Sequence, residues 1–132
     1  MSADRLDERQ IAELLGKLEA RHAALKLEVA AGLADVLDPG YAAGGGVQDS
    51  GDEASADVAE DVRLADIRRD REEMRDIEGS LGRMRLGSYG ECTDCGEPIG
   101  FVRLKAYPTA KRCRACQERH ERGLARAAGA SL

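Results

Sequence analysis

Four cysteines constrain this 132-residue chain more than any other feature. They fall as two CxxC pairs, Cys92-Thr93-Asp94-Cys95 and Cys113-Arg114-Ala115-Cys116, with seventeen residues between the pairs. Paired thiols at this spacing are the pattern of a four-cysteine zinc site. Each CxxC turn holds two thiolates along one edge of the metal, with backbone N–H groups of the turn aimed at the sulfurs. Gly96 directly follows the first pair, where such a turn asks for positive φ. Two turns together supply the tetrahedral set of four sulfurs that Zn²⁺ prefers. Two disulfides or a redox-active thiol pair are the competing uses of the same residues. A filled four-thiolate shell leaves no open position to activate water or polarise a carbonyl, so the one zinc expected is structural, not catalytic.

The remainder of the chain is poor in core-forming side chains. Aromatic residues make up 3% and tryptophan is absent, which rules out a thick globular core. Charged residues reach 34%, with Ala, Leu, Glu and Arg abundant, a composition suited to long helices with narrow seams. No apolar run approaches the length of a membrane span, and Met1-Ser2-Ala3-Asp4 does not read as the start of a signal peptide. A metal-type cysteine pattern without an export signal leads to the expectation of a reducing cytoplasm.

Net charge is −5, unevenly distributed. Between Lys26 and Arg63 no Lys or Arg occurs, while Glu28, Asp35, Asp38, Asp49, Asp52, Glu53, Asp57, Glu60 and Asp61 do. The C-terminal part is basic, through Arg103, Lys105, Lys111, Arg112, Arg114, Arg119, Arg122 and Arg126. A solvated acidic loop is the ordinary reading of such a run. The sharper reading is a surface that avoids nucleic acid and seeks an electropositive or metal-containing partner.

Periodicity predicts two long helices. From about Asp4 to Leu37, Ile11, Leu15, Leu18, Leu25, Val29 and Val36 recur three and four apart, with His22 and Gly32 in the remaining seam positions. Such a helix is about 50 Å long. His22 reads as a seam histidine and is given no function, and Gly32 marks bending or close approach. Asp38-Pro39-Gly40 ends this helix. Gly44-Gly45-Gly46 follows as a connector, and helix resumes near Asp49 or Ser50 with the capping box Ser50-x-x-Glu53. The second seam is less regular: Val58, Val62, Leu64, Ile67, Met74, Ile77, Leu81 and Met84.

The expected fold is therefore mainly α. A long antiparallel two-helix coiled coil occupies residues 1–85, with an acidic tip at about residues 38–54. Residues 86–132 form a small four-cysteine zinc-finger module, with Pro98, Ile99, Phe101 and Leu104 as its core, and a C-terminal helix. The module is too small to fold without its metal. A two-helix hairpin offers little concave surface, and no His/Cys or Ser/His arrangement, phosphate loop or HExxH occurs. No enzymatic activity is expected. What a hairpin offers is reach into a channel too narrow for a globular domain.

One stretch resembles a known family. Gly87-Ser88-Tyr89-Gly90-Glu91-Cys92-x-x-Cys95-Gly96-x-x-Ile99, followed by Arg103-Leu104-x-Ala106-x-Pro108-x-Ala110-x-x-Cys113-x-x-Cys116-Gln117, is similar to the DksA/TraR zinc-finger family. The preceding hairpin fits the full-length DksA type. The resemblance implies a bacterial transcription factor that binds RNA polymerase directly rather than DNA. It implies a coiled coil that enters the secondary channel, with a DxxDxA motif at its tip acting near the active centre. Asp49-Ser50-Gly51-Asp52-Glu53-Ala54 supplies that motif, making Asp49, Asp52 and Ala54 the expected effector residues. Asp49 and Ser50 as simple helix caps are the plainer account of the same residues.

Arg69 and Arg103 match family arginines and are expected polymerase contacts. The prolines that flank the family's first tip aspartate are replaced by Gln48 and Ser50. At three positions where the family is basic and binds the alarmone ppGpp, this chain has Asp76, Tyr107 and Gln117, so a weak or absent ppGpp response is expected. A monomer without membrane association or sequence-specific DNA binding is expected. Alternatives are a zinc-ribbon nucleic-acid binder, a redox- or zinc-sensing regulator, and a transcript-cleavage stimulator of the same channel.

Overall fold

A computed structural model of the chain describes residues 5–38 and 50–130, with side chains described for 5–38 and 57–129. Among the described residues four helices follow in order: α1 (Glu8–Leu37), α2 (Ser50–Leu86), α3 (Phe101–Ala106) and α4 (Arg114–Ala130). One antiparallel bridge, Glu91 to Pro98, is the strand-like pairing among the described residues. No helix among them is long and apolar enough to cross a membrane. The chain forms two compact units, one of residues 20–76 and one of residues up to 19 together with residues from 77 onward.

The first helix begins later than its periodicity suggests. Asp7 Oδ1 accepts from the Gln10 N–H at 2.8 Å, and Gln10 Oε1 accepts from the Asp7 N–H at 3.0 Å. The Asp7 carbonyl accepts the first intrahelical bond from Ile11. This reciprocal cap satisfies two N–H groups that a helix start leaves unpaired, so α1 starts at Glu8 rather than near Asp4. The second helix begins at Ser50, where its start was expected.

Within the unit of residues 20–76 the two helical segments run antiparallel. Arg21 pairs with Glu73 through bonds of 2.7 and 3.0 Å, and Asp35 pairs with Arg63 at 2.7 Å, so numbers rise on one helix as they fall on the other. Leu25 and Ile67 are buried in the seam, and Val29, Val36, Leu64 and Met74 are half-buried. Gly32 is the close approach that the sequence suggested: a Cβ there would stand 3.1 Å from Ile67 Cγ1.

The second seam corrects the sequence reading. Val58 and Val62 are 62% and 56% exposed. At about 100° per residue, Val62 lies about 140° around α2 from Ile67, and Val58 lies opposite it. The covered stripe of this unit instead passes through Arg63, Ile67, Asp70 and Met74, each buried or half-buried. Long polar side chains fill part of the seam by laying their stems along it.

The other unit covers a wider stripe. Leu14, absent from the expected seam, is fully buried beside Leu18, as are Ile77, Ser80 and Leu104. Lys17 Nζ donates to the Lys105 carbonyl at 3.1 Å, so this end of α1 packs against α3 as well as α2. A helix with two neighbours buries more of its circumference than one with a single partner. The Ser80 hydroxyl accepts from Arg83 Nη2 at 3.0 Å, which offsets the cost of burying it.

Two outcomes follow from this packing. Leu25→Ala should destabilise the chain by about 2–5 kcal/mol in urea unfolding followed by circular dichroism, whereas Val62→Ala should stay within about 0.5 kcal/mol. The Arg21 hydrogen bond holds the Glu73 carboxyl below its ordinary range, against the opposing effect of burial. A lowered folded-state pKa gives stability that is present above the unfolded value and lost as pH falls through the folded one. The stability difference between wild type and Glu73→Gln should therefore exist at neutral pH and close below about pH 4.

Candidate metal centre

The four cysteines converge. Their sulfurs all lie within 4.8 Å of one another, and none is in a disulfide. Cys95 and Cys113 Sγ are 3.8 Å apart. Zinc–sulfur bonds of about 2.3 Å in a tetrahedron require sulfur–sulfur edges of about 3.8 Å. Disulfide pairing is thereby replaced by a metal-shaped cluster.

Backbone geometry builds the first pair. The Cys92 N–H donates to the Glu97 carbonyl at 2.8 Å and the Gly96 N–H to the Cys92 carbonyl at 2.9 Å, which closes the turn. Gly96 adopts φ of 78°, the left-handed conformation expected at that place. The bridge at Glu91 and Pro98, with the Ile99 N–H donating to the Gly90 carbonyl at 2.7 Å, clamps the base of the turn. The Thr93 N–H donates to the Lys111 carbonyl at 2.8 Å, bringing the approach to the second pair alongside the first. Asp94 and Arg112 pair across the same junction at 3.0 Å. Cys113 precedes α4 and accepts its first intrahelical bond from the Gln117 N–H, and Cys116 lies in the first turn.

The donor set fits a cation. Burial pushes the Cys92 thiol up, but backbone N–H groups of Cys113, Cys95 and Asp94 outweigh it and bring the thiol down to about 6. At Cys95 the Glu97 N–H favours the thiolate, yet the neighbouring Cys92 thiol helps carry the net shift upward. Hydrogen bonding with Cys113, then burial and the remaining thiols, pushes Cys116 up to about 12. Four thiols this close cannot all ionise without positive charge among them. Zn²⁺ supplies that charge and takes all four as thiolates. Cys92, Cys95, Cys113 and Cys116 form a four-thiol cluster that fits one structural zinc, the ion expected of a C4-type zinc finger.

The apolar support is slight. Ile99 and Leu104 are buried as expected, whereas Pro98 and Phe101 are half-buried. Tyr89, which the core expectation omitted, is buried and donates its hydroxyl to the Pro108 carbonyl at 2.8 Å. Burial, opposed by nearby Arg83, pushes its phenol up to about 12. Its neighbour Gly90 admits Leu6: a Cβ there would meet Leu6 Cδ1 at 2.9 Å.

Other singled-out residues lie apart from the cluster. Arg103 Nε donates to the Arg112 carbonyl at 3.2 Å, and its guanidinium stands 5.9 Å from the Tyr107 ring centre. Arg69 is exposed and pairs with Asp66 at 3.2 Å. Asp49 lies outside the described residues. Asp52 and Ala54 belong to the start of α2, and their side chains lie outside the described ones. Sequence reading missed Arg119, whose Nη2 donates to Cys116 Sγ at 3.2 Å. The three-residue spacing from Cys116 on a helix is the signal that would have found it.

Residues 87–122 match the family model described as the prokaryotic dksA/traR C4-type zinc finger. The chain is similar to the RNA polymerase-binding transcription factor DksA of Caulobacter vibrioides, with 43% identity over 74 residues, 56% of this chain and 52% of that one. It is also similar to the protein of the same name from Haemophilus influenzae, with 36% identity over 69 residues, 52% and 48% of the two chains. These matches span about half the length of the curated relatives. The structure of transcription factor DksA2 from Pseudomonas aeruginosa superposes with a TM-score of 0.75 and 28% identity, covering 92% of this chain and 91% of that one.

The purified chain should carry one zinc by elemental analysis, and Cys113→Ser should lose most of it. Chelation should release Tyr89 from its burial. In ultraviolet titration, the ionisation of Tyr89, pushed up to about 12 by burial, should then fall toward the ordinary phenol value of about 10.

Proposed function

We propose that this chain, whose residues 87–122 match the dksA/traR C4-type zinc-finger model, regulates transcription by binding bacterial RNA polymerase directly. The likeness that carries this reading extends over 92% of the chain, through the long helices and the zinc finger together. Two relatives that match about half of the chain are named as polymerase-binding transcription factors.

In this proposal the zinc module and α4 seat on the rim of the secondary channel, and the helical hairpin enters it. Asp49, Asp52 and Ala54 form the effector tip. The carboxylates of Asp49 and Asp52 perturb the active-site region and shift the balance between closed and open promoter complexes. A change of a few kcal/mol in that balance is enough to switch promoters whose open complexes are short-lived. Arg69, exposed on α2, and Arg103, braced by the Arg112 carbonyl, serve as polymerase contacts. The protein makes or breaks no covalent bond, works as a cytoplasmic monomer and reads no DNA sequence. The net charge of −5 supports the last point, since it opposes approach to the phosphate backbone.

The alarmone ppGpp has little or no effect in this reading. Gln117 is bonded to Glu121 at 3.1 Å, Tyr107 sits against Arg103, and Asp76 repels phosphate.

The decisive experiment is in vitro transcription from a ribosomal RNA promoter, comparing wild type with an Asp49→Asn, Asp52→Asn variant that binds polymerase equally. Inhibition by wild type and its loss in the variant are expected. Equal behaviour would leave the two aspartates as helix caps and move the effect elsewhere. Added ppGpp should change the wild-type effect by less than about twofold (about 0.4 kcal/mol). Strong enhancement would restore an alarmone site.

A further inference from the structure

We propose that Arg119 is a working part of the zinc centre: it donates a charge-assisted hydrogen bond to the Cys116 thiolate and retains the metal. Arg119 Nη2 stands 3.2 Å from Cys116 Sγ. The two residues are three apart on α4, and helical side chains lean toward the N-terminus, so Arg119 reaches back over the sulfur. Cys116 is 3% exposed while Arg119 is exposed, so the guanidinium covers a buried ligand from the solvent side.

The charge of the cluster explains why such a donor matters. Four thiolates around Zn²⁺ leave a net charge of −2, concentrated on the sulfurs. Backbone N–H groups relieve it at Cys92 and Cys95. At Cys116 a side chain does so, through the planar donor fork of the Arg119 guanidinium. A thiolate leaves zinc when it is protonated or captured by a competing ligand, and a hydrogen-bond donor already on the sulfur opposes both.

Geometry also gives Arg119 control of access. A cleft of about 320 Å³ lies against the cluster, lined by Asp94, Cys95, Cys116, Arg119 and His120. It gives water or a chelator a route to Cys95 and Cys116. Arg122 and Arg126 share a second cleft with Arg119, farther along α4, that includes no cysteine. Arg122 therefore provides the control for a general effect of positive charge on this helix.

The test uses the zinc-loaded full chain and the rate of metal transfer to a chromophoric chelator. Arg119→Ala should release zinc about tenfold faster than wild type or more, Arg119→Lys should fall between, and Arg122→Ala should match wild type. Cobalt substitution gives a second readout on the sulfur itself. The sulfur-to-cobalt charge-transfer band should move to lower energy in Arg119→Ala and partly back in Arg119→Lys. If Arg119→Ala fails to load metal, Arg119→Lys carries both measurements alone. Release at the wild-type rate, an unmoved band, or equal acceleration in Arg122→Ala overturns the proposal. None of these readouts requires RNA polymerase.

Discussion

The meeting of four sulfurs within 4.8 Å is the interaction on which residues 87–116 depend. A chain with 3% aromatic residues has little apolar area with which to order such a segment. Apart from two of the cysteines, Tyr89, Ile99 and Leu104 are its buried side chains. Burial of three side chains contributes only a few times about 1.5–3 kcal/mol, far less than the conformational entropy of some thirty residues. Metal–sulfur bonds make up the difference, because their formation is coupled to folding. The hydrogen bonds from Cys92 to Glu97, Thr93 to Lys111 and Gln117 to Cys113 then act locally, aiming ligands that the metal holds.

The long helices solve a different problem. Their seam is narrow and mixed, with Leu25 and Ile67 buried but Arg63 and Asp70 among the half-buried positions. Ion pairs such as Arg21 with Glu73 lie at the rim, half-exposed, where they set register and orientation more than they add stability. Gly32 lets the backbones approach and gives Ile67 its place. A scaffold of this kind leaves most of its surface to charge. That surface suits the proposed role, in which a hairpin delivers carboxylates to a partner's site instead of enclosing a site of its own.

Much of this protein was legible in its sequence because the relevant information is local. CxxC spacing specifies two ligand turns, glycine after the first pair specifies a left-handed residue, and three-four periodicity specifies two long helices. Antiparallel pairing follows from similar helix lengths and a short connection. What tertiary structure alone decided is which faces are covered. Leu14 and Ser80 are buried, and Val58 and Val62 exposed, because burial depends on what packs against a residue rather than on its own polarity. Leu6 over Gly90 and Lys17 on the Lys105 carbonyl join positions more than eighty residues apart. Tyr89 found its acceptor at Pro108 by the same long-range closure. Composition and spacing thus determined the metal and the helices, while contacts distant in sequence decided the seam, the small core and the company each sulfur keeps.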